Sequence, residues 1–271
     1  MRAIGLPRIL ALPAILGLAL LVLPLFALVG RADWSSLGSD ILSPVALSAL
    51  GLSFGTALVA TFLCVVIGVP LALVIARAGA RLSAVLRAIV TVPLVLPPMV
   101  GGVALLFLFG RQGWLGQALE AWWGIRIPFT TVAVVLAQVF VALPFLVLAL
   151  EGAVRARGTD YERTAATLGA SRWRILLRVT LPLAAPGLVA GVILSFARAI
   201  GEFGATALFA GNAPGVTQTM PLAIYTAFTG AGVSRGSAVA LSLMLLVTVV
   251  GVLLLVRGWR SDRLSAAEPP R

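Results

Sequence analysis

The sequence predicts an all-α protein that crosses a membrane several times. Hydrophobic residues make up 61% of the 271 residues, and the mean hydropathy is +1.11. Soluble domains contain only about 45–50% apolar residues. Apolar runs recur at the length of about 20 residues that a helix needs to cross about 30 Å of hydrocarbon. Arginine is concentrated in alternate connections between these runs, as expected for a chain with six transmembrane helices.

Composition excludes several kinds of chemistry. All 20 basic residues are arginine, so the Walker A motif, which requires lysine, does not occur. Histidine is absent, which excludes a Ser-His-Asp triad and the zinc signatures that contain histidine. The one cysteine, Cys64, lies in an apolar run and has no intramolecular disulfide partner. The net charge of +11 is explained by membrane topology, so no nucleic-acid partner is predicted.

Six segments are predicted to span the membrane. The first has two preceding arginines, Arg2 and Arg8, and could be mistaken for a signal peptide. Its run of about 21 apolar residues exceeds the 7–15 of a signal sequence, and no A-x-A cleavage site follows, so we predict an uncleaved span. The six segments are about Ile9–Val29, Leu47–Ala76, Ile89–Phe109, Thr131–Leu150, Leu183–Phe209 and Ala238–Val256.

The distribution of arginine predicts the orientation. Fifteen arginines lie before the first span, after the last, or in the connections that share their side of the membrane. Four lie in the opposite connections, and Arg198 lies within a span. Because basic residues accumulate on the cytoplasmic side, both termini and the connection Thr159–Pro182 are predicted to be cytoplasmic.

The outer connections differ in character. Residues 31–44 are short and polar, whereas residues 110–128 carry Trp114, Trp122 and Trp123, which are typical of an interfacial aromatic belt. In the third outer connection, Met220–Phe228 is apolar enough to form a short helix that dips back into the membrane. The tail after Arg257 ends in A-A-E-P-P-R and is predicted to be disordered.

The cytoplasmic connection Thr159–Pro182 separates two very apolar regions. Thr159 and Glu162 fit a capping box, which predicts a helix starting at Asp160. Gly169 is placed to end that helix, and Ser171 to cap a second segment. A short capped helix between two spans suits docking into a partner's groove, although an ordinary basic loop is the alternative.

Arg198 and Glu202 are the charged residues well inside a predicted span. Such charges usually face a protein interior or a water-filled path, and their i, i+4 spacing allows them to pair. They either form a structural pair or line a translocation path in which Arg198 transiently attracts an anion. Further candidates near the path are Gly201, Gly204 and Thr206 in the same span, and Pro97 and Pro98, which predict a kinked or broken third span.

The cytoplasmic connection resembles the EAA loop of binding-protein-dependent ABC importer permeases. That loop has the pattern E-A-A, three residues, Gly, nine residues, I-x-L-P; Gly169, Leu181 and Pro182 match it. The E-A-A triplet itself does not match, because Arg163 occupies its first position and the acidic residue lies one position earlier, at Glu162. The resemblance implies that residues 160–168 form a coupling helix. The loop residues it marks are Thr159, Asp160, Glu162, Ala165, Ala166, Gly169, Leu181 and Pro182.

Three stretches resemble the molybdate branch of oxyanion permeases, over about residues 47–256. They are V-P-L-V-L-P-P-M-V-G-G, F-A-R-A-I-G-E-F-G-A-T and P-G-V-T-Q-T-M-P-L-A-I-Y-T. Sulfate and thiosulfate permeases tend to have Gly-Glu-Tyr-Gly where this chain has G-E-F-G. Sulfate, thiosulfate and tungstate therefore remain alternative substrates.

The resemblance implies the architecture of an ABC importer type 1 transmembrane domain. An added span and outer loop would occupy residues 1–46, the permease domain 47–257 and the tail 258–271. Two copies would enclose a central path and work with cytoplasmic ATPase subunits and an extracytoplasmic oxyanion-binding protein. ATP and magnesium would be bound by the ATPase, and no cofactor by this chain. An intramembrane enzyme is disfavoured because Glu202 is the one deep acid; a passive anion channel is the other rival.

Overall fold

The computed structural model describes residues 8–230 and 235–265, and every regular element in these ranges is helical. A 3₁₀ turn precedes α1, and a π-helical turn, Leu176–Thr180, joins α9 to α10. The all-α prediction is confirmed. The helices are α1 Ala11–Gly30, α2 Leu37–Ile41, α3 Pro44–Arg77, α4 Ala80–Val95, α5 Pro98–Phe109, α6 Trp114–Trp123, α7 Thr131–Ala156, α8 Asp160–Thr167, α9 Arg172–Ile175, α10 Leu181–Ile200, α11 Gly204–Phe209, α12 Met220–Phe228 and α13 Arg235–Ser265.

The described part of the chain contains four helical segments long and apolar enough to cross a membrane. They are α1, α3, α7 and the continuous stretch Arg172–Ile200, which comprises α9, the π turn and α10. The pair α4 and α5 gives a fifth span if it is counted as one, but it is bent by 111°. The sixth predicted span corresponds to the apolar segment Gly236–Val252 of α13. The third predicted span is therefore present as two helices that meet at a sharp bend.

Two prolines break the third span. Steric clash with a following proline disfavours helical backbone, and Leu96, which precedes Pro97, is extended with ψ of 135°. Pro97 is followed by Pro98, and its ψ is 132°. Pro98 then occupies the first turn of α5, where its missing N–H costs no helical hydrogen bond. The predicted break is confirmed, and it makes a sharp corner.

The fifth span also departs from the prediction. It was expected to run to Phe209, but α10 ends at Ile200 and a separate short helix, α11, begins at Gly204. The N–H group of Ala205 in the first turn of α11 donates to the Glu202 carboxylate at 2.7 Å. The buried Glu202 carboxylate thus accepts one of the N–H groups that the start of a new helix leaves without a helical partner.

Helix α7 lies at the centre of the bundle and packs against α3 and α10. Its buried residues include Ala142 and Leu146, which contact the same cluster as Cys64 and Phe196. The Ser195 hydroxyl donates to the Ala142 carbonyl at 3.0 Å and joins α10 to α7. Helices α3, α7 and α10 thus form a packed core, against which the other helices lie.

The outer and C-terminal elements attach to this core. The helix predicted over Met220–Phe228 is confirmed as α12, and the Met220 N–H donates to the buried Ser53 hydroxyl of α3 at 2.7 Å. Helix α13 continues to Ser265 and so includes residues 258–265 of the tail for which disorder was predicted. The stretch 258–265 contains no proline to stop the helix, and residues 266–271 lie outside the described part.

Helix α1 is peripheral. None of its residues is buried, and its apolar side chains, such as Leu20 and Phe26, are exposed on the surface. In hydrocarbon these side chains would contact lipid tails, so α1 is suited to lie at the outside of the bundle.

Candidate functional site

The breaks in the third and fifth spans meet at one open cavity of about 420 Å³. The corner between α4 and α5 forms one wall, and the junction between α10 and α11 forms the other. Six of the seven residues predicted for the path line this cavity; the seventh, Thr206, is fully buried outside the lining. The lining residues are Pro97, Pro98, Met99, Arg198, Gly201, Glu202, Phe203 and Gly204.

The predicted pairing of Arg198 and Glu202 is confirmed. Nη2 of Arg198 lies 2.5 Å from Oε2 of Glu202, whose side chain is 1% exposed, whereas that of Arg198 is 26% exposed. The second carboxylate oxygen of Glu202 accepts the Ala205 N–H. Both oxygens are therefore engaged inside the protein, and the guanidinium is the charged group of the pair that remains accessible from the cavity.

Helices α5 and α11 approach each other very closely beside the cavity. A Cβ atom on Gly102 would lie 2.7 Å from the Ala205 carbonyl oxygen and 2.9 Å from its Cα. A Cβ on Gly204 would lie 3.0 Å from Cβ of Pro98. The two walls are thus in close contact at Gly102 and Gly204; Gly204 was among the predicted path residues and Gly102 was not. Met99 and Phe203 also line the cavity but were not predicted from the sequence, because an apolar side chain in a span does not distinguish a translocation path from the protein core.

The helix predicted over residues 160–168 is present as α8, and none of its residues is buried. The N–H of Gly169 donates to the Ala166 carbonyl and that of Ala170 to the Ala165 carbonyl, both at 3.0 Å. This is the Schellman arrangement, which needs left-handed backbone at Gly169, where φ is +77°. The prediction that Gly169 ends the helix is confirmed.

The capping box predicted for α8 is not formed. Helix α8 starts at Asp160 as expected, but the Thr159 side chain makes no capping hydrogen bond. Glu162 instead turns inward, where one carboxylate oxygen pairs with Arg77 of α3 and accepts the Thr180 hydroxyl at 2.6 Å. A guanidinium brings a full positive charge to the carboxylate and the Thr180 hydroxyl a second donor, whereas a capping box would offer Glu162 one uncharged backbone N–H.

The rest of the loop leads directly into the membrane. The Ser171 hydroxyl caps α9 by accepting the Arg174 N–H at 3.4 Å, as predicted. Leu181 and Pro182 form the first turn of α10, so Pro182 lies inside the continuous stretch Arg172–Ile200 and does not interrupt it. The side chains of Tyr161, Leu168 and Trp173 are exposed around α8, giving this end of the protein an apolar outer surface.

A second cluster of charged residues, not predicted from the sequence, lies at the same end of the helices as α8. Glu151 of α7, whose side chain is 4% exposed, pairs with Arg155 at 2.8 Å and also with Arg87 of α4. Arg155 further donates to the Ile75 carbonyl at 3.1 Å and to the Ser83 hydroxyl. The cluster ties the ends of α3, α4 and α7 together. The pair of Glu151 and Arg155 could have been predicted from their i, i+4 spacing, whereas the contact with Arg87, 64 residues away, could not.

Comparison with known proteins gives consistent matches. The family described as "Binding-protein-dependent transport system inner membrane component" matches residues 68–258. The molybdenum transport system permease protein ModB of Mycobacterium tuberculosis is 53% identical over 92% of this chain and 93% of its own length. ModB of Haemophilus influenzae is 35% identical over 80% of this chain and 94% of its own length.

Solved structures show the same fold at lower identity. An inward-facing structure of the MetNI methionine ABC transporter aligns with a TM-score of 0.61 at 20% identity, covering 83% of this chain and 99% of that chain. A bacterial ABC transporter that imports the acidic polysaccharide alginate aligns with a TM-score of 0.68 at 15% identity, covering 94% of each chain. With a match over well more than half of its length, the chain belongs to the family of binding-protein-dependent transport system inner membrane components.

Proposed function

We propose that this chain is the permease subunit of an ATP-driven molybdate importer. The observation that carries the proposal is the 53% identity, over 92% of the chain, to a permease named for molybdenum transport. Family membership makes the chain a multi-pass inner-membrane transport subunit and not an enzyme. The accessible guanidinium of Arg198 in a cavity between broken spans supplies a group that an oxyanion can contact.

Arg198 and Glu202 form a weak, transient anion site in this proposal. An unpaired guanidinium in a low-dielectric path would hold a dianion tightly, whereas conduction requires binding that is weak enough to release. Glu202 already neutralises Arg198, so a passing oxyanion competes with an internal carboxylate. The pair thereby attracts the solute without trapping it.

Coupling to ATP hydrolysis runs through α8. Its inner side is fixed to α3 and to the π turn by Glu162, and its outer side is exposed for a partner. The segment Arg172–Ile200 then runs as one 29-residue stretch, about 43 Å at 1.5 Å per residue, from this loop to the Arg198 cavity. Movement of α8 by an ATPase would therefore reach the cavity through a single helical rod.

The working assembly contains two copies of this chain, cytoplasmic ATPase subunits that bind ATP and magnesium, and an extracytoplasmic oxyanion-binding protein. No cofactor is held by the permease itself. Both termini lie in the cytoplasm, as the arginine distribution indicates. Residues 47–257 form the permease domain, preceded by the added span in 1–46 and followed by the tail 258–271.

The test is uptake of labelled molybdate into vesicles that contain this chain, its ATPase and its binding protein. We expect uptake that requires ATP and is inhibited by tungstate but not by sulfate. Preferential sulfate uptake would retain the importer and change the substrate. Flux without ATP would overturn the coupling mechanism and favour the passive channel.

Replacement of Gly169 tests the coupling helix. Gly169→Val places a β-branched residue at φ of +77°, where L-residues pay about 1–2 kcal/mol, and should unwind the end of α8. Because a Cβ at this position would meet nothing within 4 Å, membrane insertion should persist while ATP-dependent uptake is lost. Gly169→Asn is the control, since asparagine tolerates left-handed backbone and should retain uptake. Equal uptake by wild type and both variants would contradict the proposed role of this turn.

A further inference from the structure

We infer that the groove between α3 and α9, beneath α8, binds an anionic phospholipid. The groove has a volume of about 520 Å³, within the range of about 300–1,000 Å³ typical of ligand sites. It is separate from the Arg198 cavity and shares no lining residue with it. Its lining consists of Leu73, Val74, Arg77, Glu162, Arg172, Ile175, Leu176 and Thr180.

On both walls of the groove an arginine lies at one end and aliphatic side chains lie deeper in the span. On α3, Leu73 and Val74 lie one turn deeper in the span than Arg77, at i−4 and i−3. On the opposite wall the chain runs the other way, and Ile175 and Leu176 lie one turn deeper than Arg172. Both walls therefore present a guanidinium at the membrane surface and aliphatic side chains below it. A phospholipid has the matching order of anionic headgroup and acyl chain.

The charges of the groove leave a site for an anion. Its lining contains two arginines and one acid, Glu162, which is engaged by Arg77 and the Thr180 hydroxyl. Within the described ranges, Arg172 forms no salt bridge with an acidic side chain. Basic pockets between helices at the cytoplasmic side are sites where anionic headgroups bind. A soluble partner protein could reach Arg172, but it would not fill the aliphatic depth around Val74.

The full-length chain, purified in detergent both alone and together with its ATPase, allows a direct test by native mass spectrometry. Phosphatidylglycerol should remain bound, whereas phosphatidylcholine with the same acyl chains and free glycerol phosphate should not. Arg172→Gln should lower phosphatidylglycerol occupancy about fivefold, the change expected for one basic residue near an anionic lipid surface. Arg174→Gln is the matched control, because Arg174 is exposed on the same helix but does not line the groove.

A second variant separates groove occupancy from charge. Val74→Trp fills the groove from a half-exposed position and keeps both arginines, so it should also lower phosphatidylglycerol binding. Equal occupancy in Arg172→Gln and Arg174→Gln would overturn the inference. So would binding of free glycerol phosphate alone, or loss of bound lipid when the ATPase or a second copy associates. None of these readouts depends on the transported substrate.

Discussion

Arg198→Gln is expected to abolish ATP-dependent uptake and to destabilise the protein. The substitution leaves the Glu202 carboxylate, 1% exposed, without its counter-ion at the side of a membrane-embedded cavity. Removing one partner of a buried ion pair typically costs about 3–5 kcal/mol, because the remaining charge stays desolvated. Thermal unfolding in detergent measures the loss of stability, and vesicle uptake measures the loss of function.

The double variant Arg198→Gln/Glu202→Gln distinguishes the two roles of the pair. It removes both charges, so most of the lost stability should return, while uptake should stay at background because no guanidinium faces the cavity. Recovery of uptake together with stability would show that the pair is only structural. Arg126→Gln is the control: its partner Glu120 lies on an exposed surface, and such pairs contribute about 0.2–1 kcal/mol.

The local part of these sites was predictable from the sequence. Arg198 and Glu202 are four residues apart on a helix, so their contact follows from helical geometry alone. The same holds for the end of α8 at Gly169 and for the break at Pro97 and Pro98, since each depends on the backbone preferences of one or two residues. The length of the apolar runs likewise predicted the positions of α3, α7 and α10.

Contacts between distant parts of the chain were not predictable. The sequence places Glu162 where it could cap α8, but its carboxylate instead pairs with Arg77, which lies 85 residues away. Proline indicates that the third span breaks, yet the 111° bend depends on how α5 packs against α11. The bond from the Ala205 N–H to Glu202 spans only three residues, but the pairing of Glu202 with Arg198 concealed this second role. Tertiary packing decides the first two of these outcomes, and hydrophobic periodicity does not report it.

Gly102→Ala is expected to reduce both stability and transport, because Gly102 is where α5 and α11 touch. The new methyl group would lie 2.7 Å from the Ala205 carbonyl oxygen and 2.9 Å from its Cα. Both are backbone atoms, so no side-chain rotation can relieve the overlap, and overpacking of this kind costs about 1–3 kcal/mol. The two helices must move apart, and Gly204 and Glu202 of the cavity wall move with α11.

Gly51→Ala provides the matched control for this substitution. Gly51 lies inside α3, and a Cβ there would meet nothing within 4 Å, so the change should stabilise the helix by up to about 1 kcal/mol. Thermal unfolding should therefore shift in opposite directions for the two variants. Since α5 and α11 form opposite walls at the cavity, Gly102→Ala should also lower the uptake rate of protein that remains folded and inserted, whereas Gly51→Ala should not. If folded Gly102→Ala protein transports at the wild-type rate, the spacing of α5 and α11 does not control the path, and Arg198 must act without a fixed opposite wall.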